Sequence, residues 1–349
     1  MRVLVLSRNA SLYSTSRIVL AARARGHDVS VIDPLDFQIV VSRGRPSLLA
    51  GGCPVQRFDI VIPRIGASIT NYGLAVVRQF DLMGVPVLNS AFSIARSRDK
   101  LRALQLLTRR KLDVPITVCA RNPAGVEAAL GLVGGCPAII KLQQGTQGIG
   151  TMIAETPQAV HSLLETFWAM GQDIVLQEYV RESKGRDLRV IVVGGRVIAT
   201  MRRVAKPGEF RANLHRGGKG DSVLLPRLHR SVAIRAAKAM GLEVAGVDML
   251  ESKSGPKILE INSSPGLEGV ERTTGVDVAG AIIRHAERYA AEHGRISPRD
   301  VQARILDVSH EERMPRRIGR PGPASEMRAA RRQAAPLAAG SARPRRAAS

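Results

Sequence analysis

The chain has 349 residues, which at roughly 150 residues per domain predicts two or three domains, and its 44% apolar content supports a sizeable packed core. The net charge of +22 divides into +14 on residues 1–294 and +8 on residues 295–349, and 43 of the 52 cations are Arg, which reads as composition bias more simply than as a nucleic-acid surface. Eleven aromatics leave little for a base-stacking platform, three scattered cysteines (Cys53, Cys119, Cys136) form no C-x-x-C pair and read as reduced thiols, and no run approaches the apolar length of a membrane span.

Residues 2–7 (R-V-L-V-L-S) predict a short buried strand, followed by a helix over 15–25 closed by Gly26. The run from Val3 to Leu6 is too short for a signal sequence. Strands are expected at 27–32, 58–63 and 85–88, with a helix over 72–83. This alternation predicts a small parallel α/β domain over residues 1–95. Its first strand-to-helix loop has no glycine, so a dinucleotide fingerprint is absent there. One long helical stretch is expected over 93–110. Strands then follow at 137–142, 174–179, 188–193, 197–203, 244–250 and 256–262, several joined by tight turns, so that sheet is expected to be mostly antiparallel. A helix over 276–293 carries an apolar stripe and stops at Gly294. From Met314 to Ser349, Ala, Arg, Pro and Gly supply 27 of 36 residues and Glu326 is the only acid, so residues 295–349 are expected to be a disordered basic tail.

Four features carry chemistry. In Ile258-Leu259-Glu260-Ile261-Asn262, strand periodicity sets Glu260 and Asn262 on one face, and a hairpin through Ser252–Gly255 brings Asp248 beside Glu260. That is either an all-oxygen site for Mg²⁺ or Mn²⁺ or the solvated face of an edge hairpin. Lys141 ends an apolar strand and precedes Gly145-Thr146-Gln147-Gly148-Ile149-Gly150, a phosphate-cradling loop or an ordinary hairpin loop. Gln177-Glu178-Tyr179 ends another strand, with Asp187 and Arg189 beyond it; the segment either presents groups to a purine or is a plain strand end. Arg202-Arg203 and the glycine-rich Gly208–Gly218 segment suit anion binding, or are solvated arginines.

Taken in order, Lys100, Lys141 and its glycine loop, Gln177-Glu178-Tyr179, Asp187, Arg211/Asn213, Asp248 and Glu260-x-Asn262 resemble the ATP-grasp ligases. Ser7-Arg8, Leu12-Tyr13-Ser14, Ile62-Pro63-Arg64-Ile65-Gly66, Ala95–Leu101, Asn213–Gly218 and Ser264–Gly269 further resemble the RimK family within them, over about residues 1–293. The tail has no counterpart in that pattern.

The resemblance implies an α/β ATP-grasp architecture: an N-terminal parallel α/β domain (1–95), a central lobe (96–180), a C-terminal lobe with the metal site (181–294), and ATP between the lobes. It implies that Lys100 and Lys141 contact phosphates under the loop containing Gly145, Thr146, Gln147 and Gly148. Glu178 and Tyr179 would meet adenine, and Asp187 the ribose. Arg211, Ala212 and Asn213 would sit by nucleotide and acyl phosphate, Arg211 and Asn213 as catalytic residues. Asp248, Glu260 and Asn262 would hold two Mg²⁺ or Mn²⁺ ions. The implied enzyme is a cytoplasmic homo-oligomer, a tetramer by resemblance. It would use ATP to add L-glutamate to the C-terminus of a small-subunit ribosomal protein, with no membrane contact and no nucleic-acid site in its body. Rival readings are a ligase of the same fold with another acceptor (free poly-α-glutamate, an amino-acid carrier or a cofactor) and a basic ribosome- or RNA-binding protein.

Overall fold

In the N-terminal part the apolar strand β1 (Arg2–Leu6) lies between β2 (Asp28–Ile32) and β6 (Ile60–Pro63) in a parallel sheet of order β2-β1-β6. The computed structural model describes residues 1–121, 125–142, 150–214 and 217–294. The expected glycine loop at 145–148 and the basic tail at 295–349 lie outside the described residues.

Side chains alternate across β1, and both faces are covered, as a parallel sheet requires. Val3 and Val5 pack with Ile18 and Ala22 of α1 (Tyr13–Ala24), whereas Leu4 and Leu6 pack with Val76, Val77 and Phe80 of α2 (Thr70–Leu82). Residues 37–54, unassigned from sequence, form a separate antiparallel sheet of β3 (Phe37–Val40), β4 (Ser47–Ala50) and β5 (Cys53–Pro54). Two expectations need correction here. Residues 85–88 make a single parallel bridge, Val61 to Val87, rather than a strand. The stretch expected as one helix is two, α3 (Ala91–Arg98) and α4 (Lys100–Arg109). Asp99 takes extended backbone angles between them, and its carboxylate caps α4 by accepting from Arg102 N at 3.0 Å.

The central part is an antiparallel sheet of order β7-β10-β8-β9, made of β7 (Thr117–Cys119), β8 (Ala138–Leu142), β9 (Thr151–Ala154) and β10 (Ile174–Glu178). Helices α5 (Val126–Leu132) and α6 (Pro157–Ala169) cover one face, packing on Ala138, Ile140, Ile174 and Leu176. The alternate residues Ile139, Lys141, Val175 and Gln177 therefore line the other face.

The C-terminal part is a five-stranded antiparallel sheet of order β13-β12-β11-β14-β15: β11 (Arg186–Val193), β12 (Arg196–Val204), β13 (Lys219–Ser222), β14 (Val244–Ser252) and β15 (Gly255–Asn262). One face (Leu188, Val190, Val192, Val247, Met249, Ile258) packs on α7 (Arg227–Met240). The opposite face changes character along its strands. Ile191, Val193, Ala199 and Met201 share an apolar core with α8 (Glu268–Thr274), α9 (Val278–His293) and β1, while the far end carries Asp187, Arg189, Arg203, Asp248 and Glu260.

Asn89 pins the N-terminal part to this sheet. Its buried carboxamide donates to Val244 O (2.8 Å) and Ser263 O (2.9 Å) and accepts from Glu243 N (2.8 Å) and Val244 N (3.0 Å), so all four of its hydrogen-bonding positions are used. At about 1 kcal/mol per net bond, plus the penalty for stranded buried partners, Asn89→Ala is expected to destabilise by about 3 kcal/mol. Thermal unfolding of the variant should show this as a drop of several degrees.

Candidate active site

The site is built from two facing sets of side chains, and strand register places most of them. Lys141 lies opposite Val175 and diagonal to Gln177, so its Nζ donates to Gln177 Oε1 at 2.7 Å. The buried Gln177 in turn donates Nε2 to Thr117 Oγ1 at 2.7 Å. Burial pushes the Lys141 ammonium down to about 8, against the pull of Glu260. Lys100, the first residue of α4, donates Nζ to Leu142 O at 3.1 Å, and burial lowers it too while Glu260 raises it. Two desolvated lysines thus point to one place.

The carboxylates lie across from them. The hairpin expected from sequence is present: Ser252 pairs with Gly255, whose φ of +117° only glycine adopts without strain, and Asp248 pairs with Glu260. Glu260 is exposed, and neither its side chain nor that of Asn262 has a hydrogen-bond or ion-pair partner among the described residues. Glu260 acts on both lysines from beyond hydrogen-bond reach.

Asp248 is different. It is buried, accepting at Oδ1 from Arg189 Nε (2.8 Å) and at Oδ2 from Arg189 Nη2 (2.6 Å) and Arg203 Nη2 (2.9 Å). Burial opposes its ionisation, but the two guanidiniums outweigh that and hold it below the usual carboxylate range. Three of its roughly four lone-pair positions are used, which leaves one on Oδ1. Glu260, Asn262 and that Oδ1 are hard-oxygen donors of the type a divalent ion takes. No group of three or more His, Cys, Asp or Glu residues clusters with metal-binding geometry among the described residues, so the fit depends on the Asn262 carboxamide.

Asp187, read from resemblance as a ribose ligand, has both oxygens engaged by Arg203, at 2.6 and 2.7 Å. Glu178 likewise accepts from Lys257 Nζ through both oxygens at 2.7 Å, and from Ile116 N at 2.9 Å. Its neighbour Tyr179 is half-buried, and burial raises its phenol. Arg211 is clamped by Glu209 through Nε (2.9 Å) and Nη2 (2.8 Å), and reaches Thr151 O of β9 with Nη1 at 3.4 Å. Its guanidinium holds Glu209 down to about 2. Ala212 is buried, and the Ala212 and Asn213 carbonyls crowd Gly218, where a Cβ would stand 3.0 and 3.2 Å from them. Only glycine fits there.

The residues that sequence reasoning undervalued are Arg189, Arg203, Glu209 and Lys257. Arg203 carries only 4% side-chain exposure, although arginine abundance favours a solvated reading. The available signal was register: strands of alternating polarity set Arg203 against Asp187 and Arg189 against Asp248.

Two antiparallel sheets with a desolvated lysine pair facing a carboxylate row define the ATP-grasp class, and comparison with known proteins agrees. The model of the RimK PreATP-grasp domain matches residues 1–94, and that of the RimK-like ATP-grasp domain matches residues 97–286. The chain belongs to the RimK family of ATP-grasp ligases. It is 53% identical over 294 residues to a probable alpha-L-glutamate ligase of Azotobacter vinelandii, covering 84% of this chain and 97% of that one. It is 54% identical over 288 residues to a Pseudomonas putida protein of the same name, covering 82% and 96%. Among solved structures, the ATP-grasp ligase PsnB complexed with minimal precursor superposes at TM-score 0.67 and 23% identity, over 82% of this chain and 98% of that one. D-alanine–D-alanine ligase of Bacillus anthracis complexed with ATP gives 0.61 and 16%, over 84% and 99%. These two show the shared fold. ATP-grasp ligases use ATP and Mg²⁺, and one PsnB structure holds Mg and ADP. No described helix is long and apolar enough to cross a membrane.

Removing Arg203 leaves Asp187 and Asp248 sharing Arg189 alone. Arg203→Met is expected to destabilise by about 3–5 kcal/mol, the range for breaking a buried ion pair. Adding Asp187→Asn should restore part of that loss, and a double-mutant cycle by thermal unfolding measures how much.

Proposed function

We propose that this chain is an ATP-dependent α-L-glutamate ligase that joins the amine of L-glutamate to the C-terminal carboxylate of a polypeptide, the C-terminal glutamate of a small-subunit ribosomal protein. The observation that carries this is the opposition of Lys100 and Lys141 to the unpaired Glu260 and Asn262. A triphosphate with divalent cations fits between them because its charges alternate with theirs. The chemistry follows from charge. A carboxylate is a poor electrophile, so ATP converts it to an acyl phosphate, which the glutamate amine then attacks. Phosphoryl transfer asks the protein for position and charge neutralisation more than for covalent help. Lys100 and Lys141 supply that neutralisation beside Leu142 and Gln177. Glu260 and Asn262, with the remaining lone pair of Asp248, would hold two Mg²⁺ or Mn²⁺ ions, which neutralise phosphate charge when bound. Glu178 and Tyr179 border adenine and Asp187 the ribose. Glu209 fixes the turn that presents Arg211, Ala212 and Asn213 to the acyl phosphate.

The identity to proteins named alpha-L-glutamate ligase supports glutamate as the amine. PsnB is also solved with a precursor peptide, which supports a polypeptide acceptor for this fold. In this reading residues 1–95, 96–180 and 181–294 are the pre-ATP-grasp domain and the two lobes, 295–349 are a basic tail, and the enzyme works in the cytoplasm as a homo-oligomer, a tetramer. The test is mass spectrometry of the purified ribosomal protein after incubation with enzyme, ATP, Mg²⁺ and L-glutamate. Successive glutamyl increments are expected; an unchanged mass overturns the acceptor.

Glu260→Ala should leave thermal stability near wild type, since Glu260 is exposed and unpaired, yet lower glutamate-dependent ADP release by about a thousandfold, the equivalent of several kcal/mol of metal stabilisation. Lys141 makes a pH signature. Its neutral form predominates in the free enzyme above about 8, whereas bound phosphate favours the ammonium. ATP affinity should therefore be flat below that pH and fall by up to about tenfold per pH unit above it. Equilibrium titrations between pH 7 and 9.5 check this, and Lys141→Arg should flatten the curve.

A further inference from the structure

Arg64 follows β6 directly, so it stands at the C-terminal edge of the parallel sheet, where ligands of open α/β sheets collect. Backbone pairing fixes it there: Arg64 N donates to Leu6 O at 2.8 Å. Its side chain reaches the segment just beyond β15, with Nη2 donating to Pro265 O at 2.9 Å, and Ser264 Oγ reaches back to Pro63 O at 3.4 Å. Pro265 is three residues past Asn262, so at most about 10 Å of extended chain separates this guanidinium's anchor from the proposed metal edge.

What sets Arg64 apart is the absence of a counter-charge. Arg17, Arg25, Arg189, Arg203 and Arg211 each meet a carboxylate. Arg64 meets none among the described residues, and burial alone pulls it down to about 10. Its neighbour Arg98 is also desolvated and also donates only to neutral oxygens, Ile65 O, Gly66 O and Thr70 Oγ1. Both guanidiniums are half-buried, and a partly desolvated guanidinium with no anion in contact is unfavourable unless a ligand supplies one. The fork geometry of Arg matches a carboxylate through paired N–H donors. The phosphates already face Lys100 and Lys141, whereas the non-reacting carboxylates of the amino acid and of the acceptor end have no cation assigned.

We propose that Arg64 binds a substrate carboxylate at the C-terminal edge of the parallel sheet, beside Pro265; this rests on the ligase reading above. The carboxylate belongs either to the incoming amino acid or to the acceptor end, and the test separates them. Equilibrium binding to the full-length protein loaded with ADP and Mg²⁺ is measured for L-glutamate against L-glutamine and L-isoglutamine. The same is done for a peptide ending in two glutamates against one ending in two glutamines. Wild type should prefer the acid over the matching amide. Arg64→Gln should weaken the acid at least tenfold and remove that preference at one of the two ligands, which names the source. Arg64→Lys, which keeps the charge but loses the fork, should recover part and serves if the Gln variant does not fold. Binding of ADP with Mg²⁺ should stay within twofold in both variants. Acid binding and preference unchanged at both ligands in Arg64→Gln overturns the assignment. Glutamate-dependent ADP release by wild type is followed in parallel; its absence would count against the ligase reading, while the binding comparison still decides the role of Arg64.

Discussion

The structure turns on four charges paired across three neighbouring strands: buried Asp187 and half-buried Arg189 of β11, buried Arg203 of β12 and buried Asp248 of β14. Each alone would be costly to desolvate; as two cations and two anions they are neutral together, and each carboxylate receives at least two charge-assisted bonds. Such a set is weak evidence of extra stability, since an apolar replacement of the same volume packs without desolvating charge. Its effect is geometric. Arg189 and Arg203 approach Asp248 from the side of β11 and β12, so the carboxylate is held in one orientation next to β15. The inner carboxylates of the row that ends at the exposed Glu260, Asp187 and Asp248, are thereby fixed.

That fixed row explains why the lysines across from it tolerate burial. Lys100 and Lys141 donate to the neutral oxygens of Leu142 and Gln177, while Glu260 supports their charge from a distance. A direct Lys–Glu ion pair would be locally more favourable and would leave nothing for a ligand to complete. Holding opposite charges near each other but out of contact keeps both ready for an intervening array of phosphate and cation. The scaffold sustains this by locking other acids away, Glu209 with Arg211 and Glu178 with Lys257.

Much of this was legible in the sequence because β-strand periodicity is rigid. Glu260 and Asn262 share a face by spacing alone, and the Ser252–Gly255 turn brings Asp248 opposite Glu260. The parallel sheet around β1 followed from strands and helices alternating at short spacing. Other elements were not legible. The helix expected over 93–110 breaks because Asp99 favours capping over continuing, a local choice inside the polar run Arg96–Lys100. Residues 37–54 pair only as two- to four-residue strands, too short to show alternation. The Asp187–Arg203 pair was readable from hairpin register but was passed over for solvated arginines, whereas the Glu178–Lys257 contact joins residues 79 apart in sequence and leaves no mark at fixed spacing.

The same limit suggests how function is found in an arginine-rich chain. With 43 arginines, charge count and clustering say little about where anions bind. Desolvation and pairing sort them better. Arg25 with Glu287 and Arg17 with Glu271 close the interface of α1 with α8 and α9, and Arg203 closes the sheet; their charge is answered within the fold. Arg64, Arg98 and Lys141 are half-buried and hydrogen-bond only to neutral oxygens, Lys141 with Glu260 acting from a distance. Folding alone would select against that arrangement, because each such cation opposes burial without an anion in contact to offset it. Lys141 faces the proposed phosphate site, whereas Arg64 and Arg98 share the edge of the parallel sheet, so the uncompensated cations gather at two places. Two anionic ends of the reaction, nucleotide and carboxylate, are the simplest occupants that would account for both.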